Sequence, residues 1–226
     1  MATQENTGEH SAPLRDKIEF WAKKHAAEYP AEVLQLFADK SEAVLKSGIL
    51  SKSPVIGQKV DDFKLQSSDG STIRLSEKVK NGPVILNFYR GSWCHYCTLE
   101  FQILLEKLPQ FQSRRASILA ISPQVNETTN IPTEAAGGFI NLSDRGNEVA
   151  RRFGLVYPLG DEIRKVYEGF GIRLDILNGD DNYEVPVPAS YVVDSDMTIR
   201  YAFTSADLTE RAEPETLPAE VAALAA

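Results

Sequence analysis

Two short apolar runs, Val84-Ile85-Leu86-Asn87-Phe88 and Ser117-Ile118-Leu119-Ala120-Ile121, are separated by one amphipathic stripe, Phe101, Leu104, Leu105 and Leu108. This arrangement restricts the fold more than any other feature of the chain. Short, nearly continuous apolar runs suit strands buried on both faces, whereas three- and four-residue spacing suits a helix. Strand, helix and strand in that order form a right-handed parallel crossover, so the chain is of α/β class with a sheet that is at least partly parallel. The spacing predicts that the helix ends at Pro109.

The remaining segments extend this frame at both ends. Leu14, Ile18, Trp21, Ala22, His25 and Tyr29 recur at helical spacing, Pro30 interrupts them, and a second stripe through Leu34, Phe37, Ser41 and Val44 ends near Gly48. Residues 1–50 are therefore read as an N-terminal helical extension, and 51–226 as the main domain. The default role of the extension is intramolecular docking, with a cap over the site or a homodimer face as alternatives. Phe63-Lys64-Leu65 and Thr72-Ile73-Arg74-Leu75 flank a Ser67-Ser68-Asp69-Gly70 turn. Thr128 to Gly138 reads as irregular, Phe139 to Leu142 as a strand, and Val149 to Phe153 and Ile163 to Phe170 as helices. Ser190 to Val193 and Thr198 to Phe203 form a hairpin around Asp194-Ser195-Asp196-Met197, and a last helix starts near Pro214.

Both cysteines of the chain fall between the first strand and the first crossover helix, in Tyr89-Arg90-Gly91-Ser92-Trp93-Cys94-His95-Tyr96-Cys97. A helix start leaves amide groups without partners and carries the positive end of the helix dipole, which favours a thiolate at Cys94. Cys97 lies one turn further along the same face, within reach of a disulfide. A zinc site would need two more ligands. There is no second cysteine pair, and the other histidines, His10 and His25, belong to the extension; no metal or organic cofactor is expected. Around the pair, His95 is either a cation beside the thiolate or a surface residue, Arg90 either lowers a cysteine pKa or is a solvated charge, and Trp93 shields the sulfurs. Tyr89, Tyr96 and Glu100 are weaker candidates, Glu100 as a helix cap or solvated carboxylate.

The strand, the Trp-Cys-x-x-Cys turn, the helix and the later Val187-Pro188 before a hairpin together resemble the thioredoxin fold. More narrowly, the segments Asn87 to Cys97, Leu142-Ser143-Asp144, Val185 to Asp194 and Arg211-Ala212-Glu213-Pro214 resemble the peroxiredoxin-like branch of the alkyl hydroperoxide reductase and thiol-specific antioxidant family. The resemblance implies a thioredoxin-like fold with a central mixed sheet flanked by helices, and a cis bond before Pro188 beside the cysteines, with the Val187 backbone open to a partner. It implies a thiol peroxidase whose substrate is a hydroperoxide and whose disulfide is reduced by an external dithiol such as a thioredoxin. Two alternatives stand beside it: a protein disulfide oxidoreductase, and a redox-sensing module without turnover.

The chain departs from the peroxiredoxin signature of a proline seven residues, and a threonine or serine three residues, before the reactive cysteine. Counting back from Cys94 gives Asn87 and Gly91, and from Cys97 gives Arg90 and Cys94. Aligned by the helix, the family's reactive cysteine falls on Cys97 and thioredoxin's nucleophile on Cys94. The reading favoured here is Cys94.

A net charge of −8 disfavours nucleic acid and anionic membranes as partners. No run approaches the roughly 20 apolar residues of a membrane span, and the first residues lack a secretory pattern. The expected compartment is the cytosol, where a cysteine pair is more often redox-active than structural.

Overall fold

The computed structural model describes residues 12–125, 138–207 and 209–224. His10, the polar start and most of the Thr128 to Gly138 stretch lie outside them. Two helices come first, α1 (Leu14–Glu28) and α2 (Ala31–Lys46). Tyr29 between them is extended (φ −90°, ψ 145°). A residue before proline is pushed out of the helical region, and Pro30 then caps α2 without needing a donor. Gly48, in the left-handed region at φ +66°, ends the segment as its position suggests.

The main sheet begins with β1 (Lys64–Ser67) and β2 (Thr72–Arg74), followed by a single helical turn, α3 (Leu75–Lys78). Then come β3 (Val84–Phe88), α4 (His95–Glu106), α5 (Leu108–Gln112), β4 (Ser117–Ser122), β5 (Phe139–Ser143) and α6 (Glu148–Arg152). The chain continues through β6 (Val156–Pro158), α7 (Asp161–Gly169), α8 (Leu174–Asn178), β7 (Glu184–Pro186), the hairpin β8 (Ala189–Val193) and β9 (Ile199–Thr204), and α9 (Leu217–Ala223). The crossover helix stops at Glu106, before Pro109, which instead sits in the first turn of α5; a proline is tolerated there because the first helical N–H groups have no internal partner anyway.

Seven strands form one mixed sheet in the order β2-β1-β5-β4-β3-β8-β9, and β6 pairs with β7 apart from it. β3, β4 and β5 are parallel neighbours, as the crossover requires; the other pairs are antiparallel. Successive side chains of a strand point to opposite faces. Leu86, Phe88, Leu119 and Ile121 join α6 and α7 in one core, while Ile85, Ile118 and Ala120 join α4, α5 and α9 in the other. Both cysteines belong to the second core. On the outer side of α4, Leu99 and Ile103 pack with Leu14 and Ile18 of α1, so the first helix docks on the helix that carries the cysteines.

The peptide bond before Pro188 is trans, as is every other bond among the described residues, which corrects the expected cis geometry. Val187 donates its N–H to the Leu155 carbonyl at 2.8 Å and packs in the first core, across the sheet from the cysteines. Those contacts are met by an extended run from β7 into β8, and trans is the lower-energy isomer even before proline. Pro188 itself lies one residue before Ala189, the partner of Phe88, and so at the end of β3 where the cysteine turn begins. No helix among the described residues is long and apolar enough to cross a membrane.

Candidate active site

The turn after β3 is shaped by close contacts. Gly91 has φ +146°, and a Cβ there would meet Trp93 Nε1 at 2.2 Å, so the position excludes a side chain. Ser92 N–H donates to Gln124 Oε1 at 2.8 Å, tying the turn to the chain beyond β4. Cys94 is the N-cap of α4, with extended backbone angles (φ −84°, ψ 110°). The Cys97 N–H donates to the Cys94 carbonyl oxygen at 3.0 Å, and the Cys94 side chain makes no capping hydrogen bond to the helix. Arg90 Nη2 donates to the Cys94 sulfur at 3.0 Å, while its Nη1 reaches Tyr167 Oη at 3.3 Å. The guanidinium lies 5.3 Å from the centre of the Trp93 ring, within cation–π range.

These contacts separate the two thiols. Burial opposes ionisation of Cys94, but the hydrogen bond from Cys97 and the charges of Arg90 and Arg211 outweigh it and hold its pKa well below the ordinary thiol value. Burial pushes Cys97 the other way, reinforced by its donated hydrogen bond and by repulsion from the Cys94 thiolate. Both cysteines are free and buried, and the two shifts favour the thiolate at Cys94 over Cys97.

A second charged group lies under Cys97. Arg211 Nη2 is 3.7 Å from the Cys97 sulfur, and Nε is 3.1 Å from Glu100 Oε2. Glu100 Oε1 accepts Asn87 Nδ2 at 2.7 Å, and Asn87 also reaches Ser190 Oγ at 3.0 Å. Glu100 is therefore a core carboxylate, 1% exposed, where the sequence suggested a solvated one. Burial raises its pKa, against the opposing charge of Arg211.

His95 is half-buried, its ring 4.1 Å from that of Trp21 and 5.8 Å from that of His25. Burial and the neighbouring His25 depress its pKa, although Cys94 pulls it up; the imidazole is neutral at pH 7, and the cation at the thiolate is Arg90. Tyr96 holds His25 through a 3.1 Å contact between its hydroxyl and Nδ1. Tyr89 packs edge-on against Phe101 at 4.6 Å and fills the core.

Cys94 is 2% exposed but lines a cavity of about 650 Å³ between α1, α2, α7 and the cysteine turn, together with Arg90, Trp93 and Tyr167. Cys97 does not line it. Arg211, Tyr167, Asn87 and Gln124 escape sequence reasoning as site residues. Asn87 and Arg211 carried a signal only as part of the Asn87 to Cys97 and Arg211-Ala212-Glu213-Pro214 matches, and that signal gave neither a partner. Among the described residues no cluster of three or more metal-ligating side chains occurs.

Residues 56–202 match the sequence profile of the AhpC/TSA family. Two Mycobacterium tuberculosis proteins, from strains CDC 1551 and H37Rv, both named provisionally as peroxiredoxins, are 32% identical over 100 residues. That stretch is 44% of this chain and 65% of theirs. The crystal structure of the peroxidoxin BcpB from M. tuberculosis superimposes with a TM-score of 0.56 at 24% identity, covering 75% of this chain and 97% of BcpB. That of a C47S mutant of Xylella fastidiosa PrxQ gives 0.57 at 16% identity, over 76% and 98%. These likenesses support the thioredoxin-like fold.

Proposed function

The chain belongs to the AhpC/TSA family, and from that premise we propose that it is a thiol peroxidase in which Cys94 attacks and Cys97 resolves. The observation that carries this reading is the Cys94 sulfur, 3.0 Å from the Arg90 guanidinium that favours its thiolate, at the wall of a cavity that Cys97 does not line. The thiolate attacks the terminal oxygen of a hydroperoxide. The O–O bond breaks, Cys94 becomes a sulfenic acid, and the alkoxide or hydroxide takes a proton from solvent and leaves as alcohol or water. Cys97 then attacks the Cys94 sulfur, a disulfide forms, and the sulfenic oxygen leaves as water. An external dithiol of the thioredoxin type returns both sulfurs to the reduced state.

Arg90 in this cycle stabilises the thiolate and meets the oxygen that carries charge as the O–O bond breaks. Arg211 lowers the cost of ionising Cys97 when its turn comes. Trp93 and the neutral His95 shield the pair from bulk water, and buried Pro188 leaves no unpaired N–H at the end of β3. Residues 1–50 are an extension of the catalytic domain, and a reducing cytosol suits a resting dithiol. Burial of Cys94 beneath the N-terminal helices favours a small substrate over a protein disulfide.

The test is stopped-flow reduction of hydrogen peroxide and of an organic hydroperoxide by the reduced wild type, Cys94→Ser and Cys97→Ser. The expected result is turnover by the wild type, no reaction beyond background with Cys94→Ser, and a single turnover with Cys97→Ser. A wild type that consumes no peroxide, or a Cys94→Ser variant as fast as wild type, refutes the assignment.

A further inference from the structure

Part of the cavity wall comes from helices that precede the span matched to the family, residues 56–202. Ala22 of α1 and Leu34, Phe37 and Ala38 of α2 line the cavity together with Phe170 and Ile172. At about 650 Å³ it is far larger than a hydrogen peroxide molecule, which is little bigger than a water of ~30 Å³, and it lies in the range of small-molecule sites. Hydrogen peroxide would leave most of this apolar wall wet.

The charges of the cavity narrow the choice further. Its permanent cation among the described lining residues is Arg90, already held by Cys94 and Tyr167. Two exposed carboxylates also line it, Asp207 and Glu42, the latter paired with Lys46 at 2.6 Å. An anionic substrate would find the charge of Asp207 against it and no unengaged cation among the described lining residues to hold it.

We infer that the N-terminal helices form the substrate-binding half of the site. They take the apolar body of an uncharged organic hydroperoxide of roughly ten carbons, with its –OOH end against Cys94 and Arg90. This rests on the peroxidase reading and adds to it the part of the chain that selects among hydroperoxides. The extension then acts as more than a docked helix pair. It supplies the surface that makes a buried apolar group worth roughly four-fold in binding per methylene.

Two measurements test it. The first needs no turnover: cumyl alcohol, the uncharged product of cumene hydroperoxide, is titrated into reduced Trp21→Phe protein. Trp93 is then the one tryptophan, and it lines the cavity. A saturable change in its fluorescence, weakened about ten-fold or more by Ala38→Phe, is the expected result. No change at any concentration overturns the chamber.

The second measurement is a ratio of kcat/KM values with dithiothreitol as reductant. Cumene hydroperoxide is expected to exceed both hydrogen peroxide and its own para-carboxylate by about ten-fold or more, and Ala38→Phe should pull both ratios toward one. Equal rates for the three substrates, or a preference for the carboxylate, overturn the inference. Failure to reduce any peroxide counts against the peroxidase reading instead, and the fluorescence titration still decides the chamber.

Discussion

Cys94 and Cys97 sit one helical turn apart on the same helix, yet their surroundings shift their pKa values in opposite directions. Cys94 occupies the N-cap, meets Arg90 at 3.0 Å and opens on a cavity. Cys97 lies within the first turn, fully buried, and its nearest cation, Arg211, is also engaged by Glu100. Burial is common to both sulfurs and disfavours charge on each. The difference arises from hydrogen-bond direction and from whether the neighbouring cation has a competing anion. One buried cation without a carboxylate partner makes a thiolate; the same charge shared with a carboxylate makes a reserve thiol.

The largest way to break this contrast is to remove the charge at Arg90. Arg90→Gln keeps hydrogen-bonding capacity but loses the cation, and an opposite charge at this range is worth about one to three pKa units. Iodoacetamide labelling of Cys94 at pH 6 should slow about ten-fold or more. An unchanged rate would mean that the helix start and Cys97 alone hold the thiolate. A smaller effect sharpens the contrast from the other side. Glu100→Gln leaves Arg211 without its anion, so in a Cys94→Ser background the Cys97 pKa should fall and its labelling at pH 8 should rise about two- to three-fold. A slower rate would show that Glu100 orients Arg211 instead of competing for it.

The smallest expected effect concerns what covers each sulfur. The shell of Cys97 is a buried ion pair, whereas Cys94 lies under a ring cluster that includes His25 and His95. Burial depresses the pKa of both histidines, in His25 against the pull of Glu28 and with the push of Lys24. The folded state thus binds fewer protons there than the unfolded chain. Its stabilising contribution is complete above the ordinary histidine value of about 6.5 and is lost as pH falls through the depressed values. Thermal melting from pH 7.5 down to 5.5 should lose more stability in the wild type than in His25→Gln. Parallel curves would remove the histidines from the account.

The elements of the fold were legible because their signals are local. Two apolar runs around one amphipathic stripe specified the parallel β3-α4-β4 unit, and Pro30 and Gly48 marked the ends of helices. Short elements such as β6, β7 and α8 left no such pattern, since strands of three residues and helices of five depend on what they pack against. Pro109 misled for a related reason: a proline ends one helix or begins the next, and only the tertiary path decides which. In the site, the cysteines, Arg90 and Trp93 were legible because they are neighbours in sequence. Arg211 lies 114 residues from Cys97, and Glu100 reads as an ordinary surface charge until that arginine is placed beside it. Long-range charge pairing of this kind has no sequence period. The trans bond before Pro188 was likewise out of reach, because it follows from where Val187 packs.

The division of labour between the two sulfurs is tested most directly by alkylating the reduced wild-type protein with iodoacetamide across a pH series and reading each cysteine separately by peptide mass. The account predicts that Cys94 is modified first, with a midpoint well below the ordinary thiol value of about 8.5, while Cys97 stays protected until higher pH. Faster modification of Cys97 near neutral pH, or a single midpoint shared by the two, would contradict it.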